Sequence, residues 1–406
     1  MRPSNRNLKI HLKVCIHILI FVAVALLWGC RRQHFPQYPP NYREYAYVTN
    51  GGSNTVTVLD VVNLRQDRVL TVGANPTGIG INPRRNEIYI VNSGSGTISV
   101  IDAEHNRVVA TIRVRKAPYF IDVDAEGARA YVANSGSNNV SVIDLAARRE
   151  IAAIGVGESP GMARIAPDGN TLVVTNRVGG SVTLINPHTY SVRKVFPGCP
   201  GATDAVILPD SSKTFVACSG GNQVMALGLA RQPGPTGSSQ LSAAEKDDHL
   251  LTYLDVGKTP VDLALKPDGG EIFVSNFDSD TISEISTSTD EVGGAYAIGE
   301  HPSNGIVSAD NSTLWVSNFN ADTIAVYGID DGKRIGAVHV GDGPDSLALS
   351  ARGHLLFAVN ARSGGVSVVR TLSYSDKGVR EVGALFTMLP AEQHPNAIAI
   401  KAFLLP

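Results

Sequence analysis

The sequence predicts an all-β protein: a single eight-bladed β-propeller of four-stranded blades, its ring closed by the C-terminal strand. Three observations carry this. First, a strand-ending tetrapeptide recurs. YVTN ends at Asn50, YIVN at Asn92, YVAN at Asn134, VVTN at Asn176, FVSN at Asn276, WVSN at Asn318 and FAVN at Asn360, while VACS puts Cys218 in the Asn place. Successive steps are 42, 42, 42, 42, 58, 42 and 42 residues. A fixed period of about 40–45 residues with several short strands per unit is the mark of a propeller. Second, a proline leading into an alternating strand also recurs eight times, at Pro76, Pro118, Pro160, Pro200, Pro260, Pro302, Pro344 and Pro395. Third, the two anchors are out of phase at the ends. The repeats begin with the second strand of a blade at Tyr45 and finish with the first strand of one at 397–400. Pairing these two strands closes the ring and removes its exposed edges. A seven-bladed ring is the alternative, should blade 5, the most degenerate, not form.

Composition agrees with a turn-dense β protein. The 406 residues include 40 Gly and 22 Pro, with 43% hydrophobic and only 18% charged residues, enough to bury a substantial core. The net charge of −2 and the lack of a basic stripe give no sign of nucleic-acid binding.

From the N-terminus, residues 1–29 read as an export signal. Arg2, Arg6, Lys9 and Lys13 precede an apolar run of about 15 residues, short for a membrane span but right for a signal core. The run ends in Leu27-Trp28-Gly29-Cys30, which resembles a bacterial lipoprotein box with Cys30 as first mature residue and lipid acceptor. An uncleaved anchor or plain secretory signal is the alternative. In that resemblance Arg31, where an Asp would retain the protein inside, implies an outer-membrane lipoprotein facing the periplasm or surface. Residues 30–44 form a Pro-containing tether, 45–401 the propeller and 402–406 a tail.

Within the propeller each unit reads as four strands, as in blade 3: YFIDV, a turn at Ala125-Glu126-Gly127, ARAYVAN, NVSVID and EIAAIGV. Two insertions interrupt the period, 229–249 in blade 5 and 371–381 in blade 8. Both precede the outer strand and fall on the lower face, as spacers or as binding arms.

The tetrapeptide and the continuations NTVTVLD, GTISVID and NVSVID resemble the YVTN β-propeller repeat family, which includes surface-layer-like envelope proteins. The resemblance spans 45–401 and implies a fold rather than a function, because the scaffold hosts binding proteins and enzymes alike. It also implies kinship with lactonase propellers and with the haem-binding propeller of nitrite reductases.

Candidate residues follow from position. Asn50, Asn92, Asn134, Asn176, Asn276, Asn318 and Asn360 recur in the blades, so a structural role is expected: Asn tolerates left-handed backbone and bonds its own loop. The loops after the second strands and those entering the first strands share one end of the ring, the upper face. There the residue before each proline varies, and His301 and His394 are its two imidazoles. Asp122, Asp204, Asp262 and Asp345 lie in or near inner strands, as a hydrated channel lining or an acidic mouth. His301, Asp345 and His394 come from three consecutive blades and form the one His-Asp-His set to weigh as a metal site. No haem-attachment, nucleophile-elbow or phosphate-loop motif occurs. Once Cys15 leaves with the signal and Cys30 takes lipid, Cys199 and Cys218 remain, and an oxidising envelope favours their pairing. The sequence therefore leads to a non-catalytic envelope module that is attached to a membrane through its lipid and binds a protein, glycan or small ligand, with no cofactor. A hydrolase or a haem- or metal-dependent oxidoreductase is the alternative.

Overall fold

A computed structural model of the chain describes residues 37–230, 246–371, 373–374, 380–381 and 383–405. The leader with Cys30, the tether as far as residue 36, and the centre of the blade 5 insertion lie outside the described residues. Tyr42–Pro406 form one compact unit.

The unit contains eight four-stranded antiparallel sheets. Blade 1 comprises Tyr42–Asn50, Thr55–Asp60 and Arg65–Thr71, with Pro395–Leu404 as its inner strand. The inner strands of blades 2 to 8 are Pro76–Ile81, Pro118–Val123, Pro160–Ile165, Ala202–Ile207, Pro260–Leu265, Pro302–Val307 and Pro344–Leu349. Blade 5 forms in full, its outer strand His249–Asp255 following the insertion, which removes the seven-bladed alternative. Part of the second insertion makes a two-stranded ribbon, Ser373–Tyr374 with Arg380–Glu381.

The blades pack face to face, and the core is accordingly a ring of eight apolar clusters, one for each interface between neighbours. Tyr47, Val56 and Val58 of blade 1 meet Ile88, Ile90 and Ile101 of blade 2. On the other face of the same strand, Ala46 and Val48 meet Phe357, Val359 and Val366 of blade 8. Successive side chains of a strand point to opposite faces, and here both faces are covered. This is why the second strands are apolar almost throughout and why their burial is continuous, as in Glu87–Asn92 and Lys213–Cys218.

Ring closure joins the two strands expected from the sequence and runs further at both ends. Tyr45 pairs with Lys401 and Val48 with Ile398, but pairing continues to Tyr42 opposite Leu404. The propeller therefore starts three residues before 45, and residues 402–404, read as tail, belong to the inner strand. Side chains reinforce the seam. The Thr49 hydroxyl donates to Asn396 Oδ1 at 2.5 Å. The Ala351 amide of blade 8 donates to the buried Glu44 carboxylate at 2.6 Å, and Lys401 Nζ donates to the Asn82 carbonyl of blade 2 at 2.7 Å.

Deleting residues 391–406 takes Ile398 and Ile400 from the cluster between blades 8 and 1 and opens an edge along Tyr42–Asn50. Full burial of one such side chain is worth about 1.5–3 kcal/mol. The truncated protein should lose cooperative thermal unfolding or aggregate, as read by calorimetry and size-exclusion chromatography. Unchanged melting would refute closure by this strand.

Candidate functional site

The upper face is organised by the repeated asparagines. Each is fully buried, and its amide reaches the hydroxyls of the third strand in its own blade. Asn50 Nδ2 donates to Thr55 and Thr57 Oγ1 at 3.1 and 3.0 Å. Asn92 donates to Thr97 and Ser99, Asn176 to Ser181 and Thr183, and Asn276 to Thr281 and Ser283. Asn134 uses Asn139 Oδ1 and Ser141, Asn318 uses Thr323 and Asn360 uses Ser367. The TxT/S pattern of the third strand is thus the acceptor half of the asparagine motif. Glycines in the loop entering the same blade's inner strand lie against these side chains: a Cβ on Gly157 or Gly257 would stand 2.6 or 2.7 Å from Asn176 or Asn276.

A second bond repeats in all eight blades. The residue after the Asn position donates its N–H to the carbonyl of the residue before the inner strand, as in Ser93 to Asn75, Phe319 to His301 and Gly51 to His394. The accepting residue has left-handed backbone throughout, at φ 49° in Asn75, 45° in Ala117, 52° in His301 and 52° in His394. In five blades its own N–H is received by an Asn or Asp side chain of the preceding blade: Asn54 for Asn75, Asn138 for Ser159, Asn222 for Thr259, Asp280 for His301 and Asp322 for Gly343. Such backbone is costly outside glycine, and these hydrogen bonds hold it in place.

Blade 5 departs from the sequence reading. Cys199 does not occupy the left-handed place. Ala202 faces Cys218 as Pro160 faces Asn176, so Gly201, at φ 63°, stands there and Cys199 lies two residues earlier. Cys199 and Cys218 are disulfide-bonded, with S–S 1.99 Å and Cα–Cα 4.8 Å. The cysteine in the Asn place therefore ties the blade to its entering loop covalently, where the other blades use hydrogen bonds.

The carboxylates near the axis have specific partners as well. Asp122 receives the Ile165 amide of the next blade at 3.0 Å. Asp204 receives Leu263 N–H at 3.0 Å, and Asp262 receives Gly305 N–H at 2.8 Å and Asn304 Nδ2 at 2.7 Å. Asn304 Oδ1 continues the series to Leu347 N–H. Each side chain thus caps a backbone amide on the axis-facing edge of the neighbouring inner strand, a use that reading each strand separately had missed. Arg164, over the Phe120 ring, pairs with Asp204 at 3.3 Å. Asp345 lies outside this series: its backbone carbonyl accepts from the Ser317 hydroxyl, and the Ser303 hydroxyl interacts with its carboxyl.

Enclosure by protein raises the pKa of Asp122 and of Asp345. Asp262 is pushed up to about 7, first by burial and then by the negative charge of Asp204, against the pull of Gly305 N–H, Asn304 and Arg164. Among the described residues, no three His, Cys, Asp or Glu side chains converge on a metal position, so His301, Asp345 and His394 are not assembled into a set.

What distinguishes the blades lies just after the Asn position. Blades 1, 2, 3 and 5 carry only Gly and Ser there (Gly51-Gly52, Ser93-Gly94, Ser135-Gly136, Ser219-Gly220), whereas blades 4 and 6 to 8 carry Arg177-Val178, Phe277-Asp278, Phe319-Asn320 and Ala361-Arg362. Arg177 lies over the exposed Tyr119 ring. His301 stands edge-on to Phe277 with centroids 4.5 Å apart, and its Nδ1 is 2.9 Å from Asn320 Nδ2. Arg362 donates to Asn320 Oδ1 at 2.6 Å and lies 4.3 Å over the Phe319 ring.

A carboxyl whose pKa is higher folded than unfolded stabilises the fold fully below the unfolded value. That contribution is lost as pH rises through the folded one. For Asp262 the loss falls between about pH 4 and 7. Asp262→Asn removes this titration, so its melting-temperature deficit relative to wild type should be larger at pH 5 than at pH 8. A deficit that is constant with pH would contradict the assigned burial.

Comparison with known proteins adds the family. No curated protein matches the chain. Among solved structures, a chain of Kuenenia stuttgartiensis hydrazine synthase is similar at TM-score 0.56 and 18% identity, covering 84% of this chain and 98% of its own. A functionally unknown protein from Desulfotomaculum acetoxidans DSM 771 is similar at TM-score 0.58 and 16% identity, covering 78% and 98%. Dihydro-heme d1 dehydrogenase NirN, solved in complex with DHE, is similar at 0.68 and 15%, covering 91% and 77%. At such identities these likenesses speak for the fold alone. The sequence itself matches the YNCE-like beta-propeller family over residues 21–165 and 125–374, and the chain belongs to that family.

Proposed function

We propose that the protein is a non-catalytic cell-envelope lipoprotein whose propeller is a binding or scaffold module for a protein, glycan or small ligand. The upper face is its binding surface. The observation that carries this reading is the separation of frame from side chain there. The same loop bond repeats in every blade, while the residues mounted on it change from Gly and Ser to Phe, Asn and Arg. Variable side chains on a fixed frame favour recognition.

An enzymatic reading would place a metal or haem at the upper face, with a histidine as its natural ligand. His301 Nδ1 accepts from Asn320 Nδ2, whose oxygen is taken by Arg362, so the imidazole proton stands on Nε2, which favours hydrogen-bond donation over metal ligation.

Two variants and a metal and haem analysis test the proposal. Cys30→Ser should abolish palmitate incorporation and release the protein from the membrane fraction; labelling that persists would remove the lipoprotein assignment. Replacing both His301 and His394 with Ala should leave melting within a few degrees of wild type, because Ala117 already occupies the same left-handed place in blade 3. The purified protein should carry no stoichiometric metal or haem. Retention of about one per chain, lost in the double variant, would replace this reading with the enzymatic one.

A further inference from the structure

The upper loops of blades 6 to 8 hold a hydrogen-bonded row whose free valences can be assigned. Asn320 Oδ1 accepts from Arg362, so its Nδ2 is the end that donates, and His301 Nδ1 must accept. The imidazole proton is then on Nε2, available to a ligand. Arg362 spends one Nη on Asn320 and retains further guanidinium donors on an exposed side chain. Two donor groups thus flank Asn320, fixed by its amide and by the Phe277 and Phe319 rings beneath them.

The acceptors are in the same loops. Glu300 precedes His301, and its carbonyl receives Asn320 N–H; Asp342 precedes Gly343, and its carbonyl receives Arg362 N–H. Both side chains are exposed. This mixture selects among ligand classes. An anion would meet the carboxylates of Glu300, Asp342 and Asp278, and a cation would meet Arg362. A neutral polyol satisfies both sets, since each hydroxyl donates and accepts, and half-buried phenyl rings offer apolar ground beside them. Blades 1, 2, 3 and 5, with Gly and Ser at the matching places, have no such row.

We infer that the row Phe277–His301–Asn320–Phe319–Arg362 is a recognition site for a neutral glycan. The inference rests on the binding-module reading and narrows it to one ligand class and one sector of the face.

The test is calorimetric titration of the purified mature protein with cellohexaose, xylohexaose, maltohexaose and chitohexaose. At least one should bind, and Arg362→Ala and Asn320→Ala should each weaken it at least tenfold with melting retained. Arg362→Lys, which keeps the charge but loses the planar fork, should weaken it by an intermediate factor. Val195→Ala, at an exposed outer-strand position of blade 4, should bind as wild type. Absence of binding to all four sugars would overturn the inference, as would binding unchanged by both alanine variants. Neither result touches the wider reading, which fails instead on a stoichiometric metal or haem lost with His301 and His394.

Discussion

Every blade of this protein has two apolar faces and can bury neither alone. That constraint governs the rest. A four-stranded sheet open on both sides would leave residues such as Tyr47, Ala46 and Val48 in water. Only the arrival of neighbours on both sides covers them, and only a closed circle gives every blade two neighbours. The seam between Tyr42–Asn50 and Pro395–Leu404 is therefore a condition for all eight clusters rather than a local feature of blade 1.

Within the circle, polar groups do the aligning. Apolar packing is non-directional, so a ring held by it alone could slip along the blade faces. The axis carboxylates capping the next strand's amides and the Asn and Asp caps between upper loops act only at one relative height. Buried polar groups of this kind are costly when unpaired, which turns them into register marks. The conformation of the upper loops is the result, and the side chains they carry are placed with corresponding accuracy.

Much of this was legible in the sequence. The 42-residue spacing, the prolines and the phase shift at the ends lead to the blade count and to the closing strand. The structural role of the asparagines was readable too, but their hydroxyl partners lie five and seven residues on in the TxT/S segment, and only strand pairing makes the two one motif. Blade 5 was legible as a fold but not in register, because its proline, Pro200, stands two residues ahead of the 42-residue spacing that the strand itself keeps by starting at Ala202. The axis carboxylates could not be understood from their own strands, since the groups they serve are backbone amides about one period further along. The row on blades 6 to 8 did leave a signal. Arg362 and Asn320 are 42 residues apart, and both break the Gly/Ser rule of the positions after the asparagine.

The placement of the seam also orders events in time. The hairpin at 42–60 is among the first parts of the ring to be synthesised, and the strand that covers its open edge is the last. Loop closure over so long a span is entropically slow to reward. Until it happens, the nascent chain carries an unpaired apolar strand at its leading end, the kind of edge that templates association. A chain made this way benefits from staying separated from its copies until Pro395–Leu404 has been made, and the docking of that ten-residue strand decides when the vulnerable interval is over.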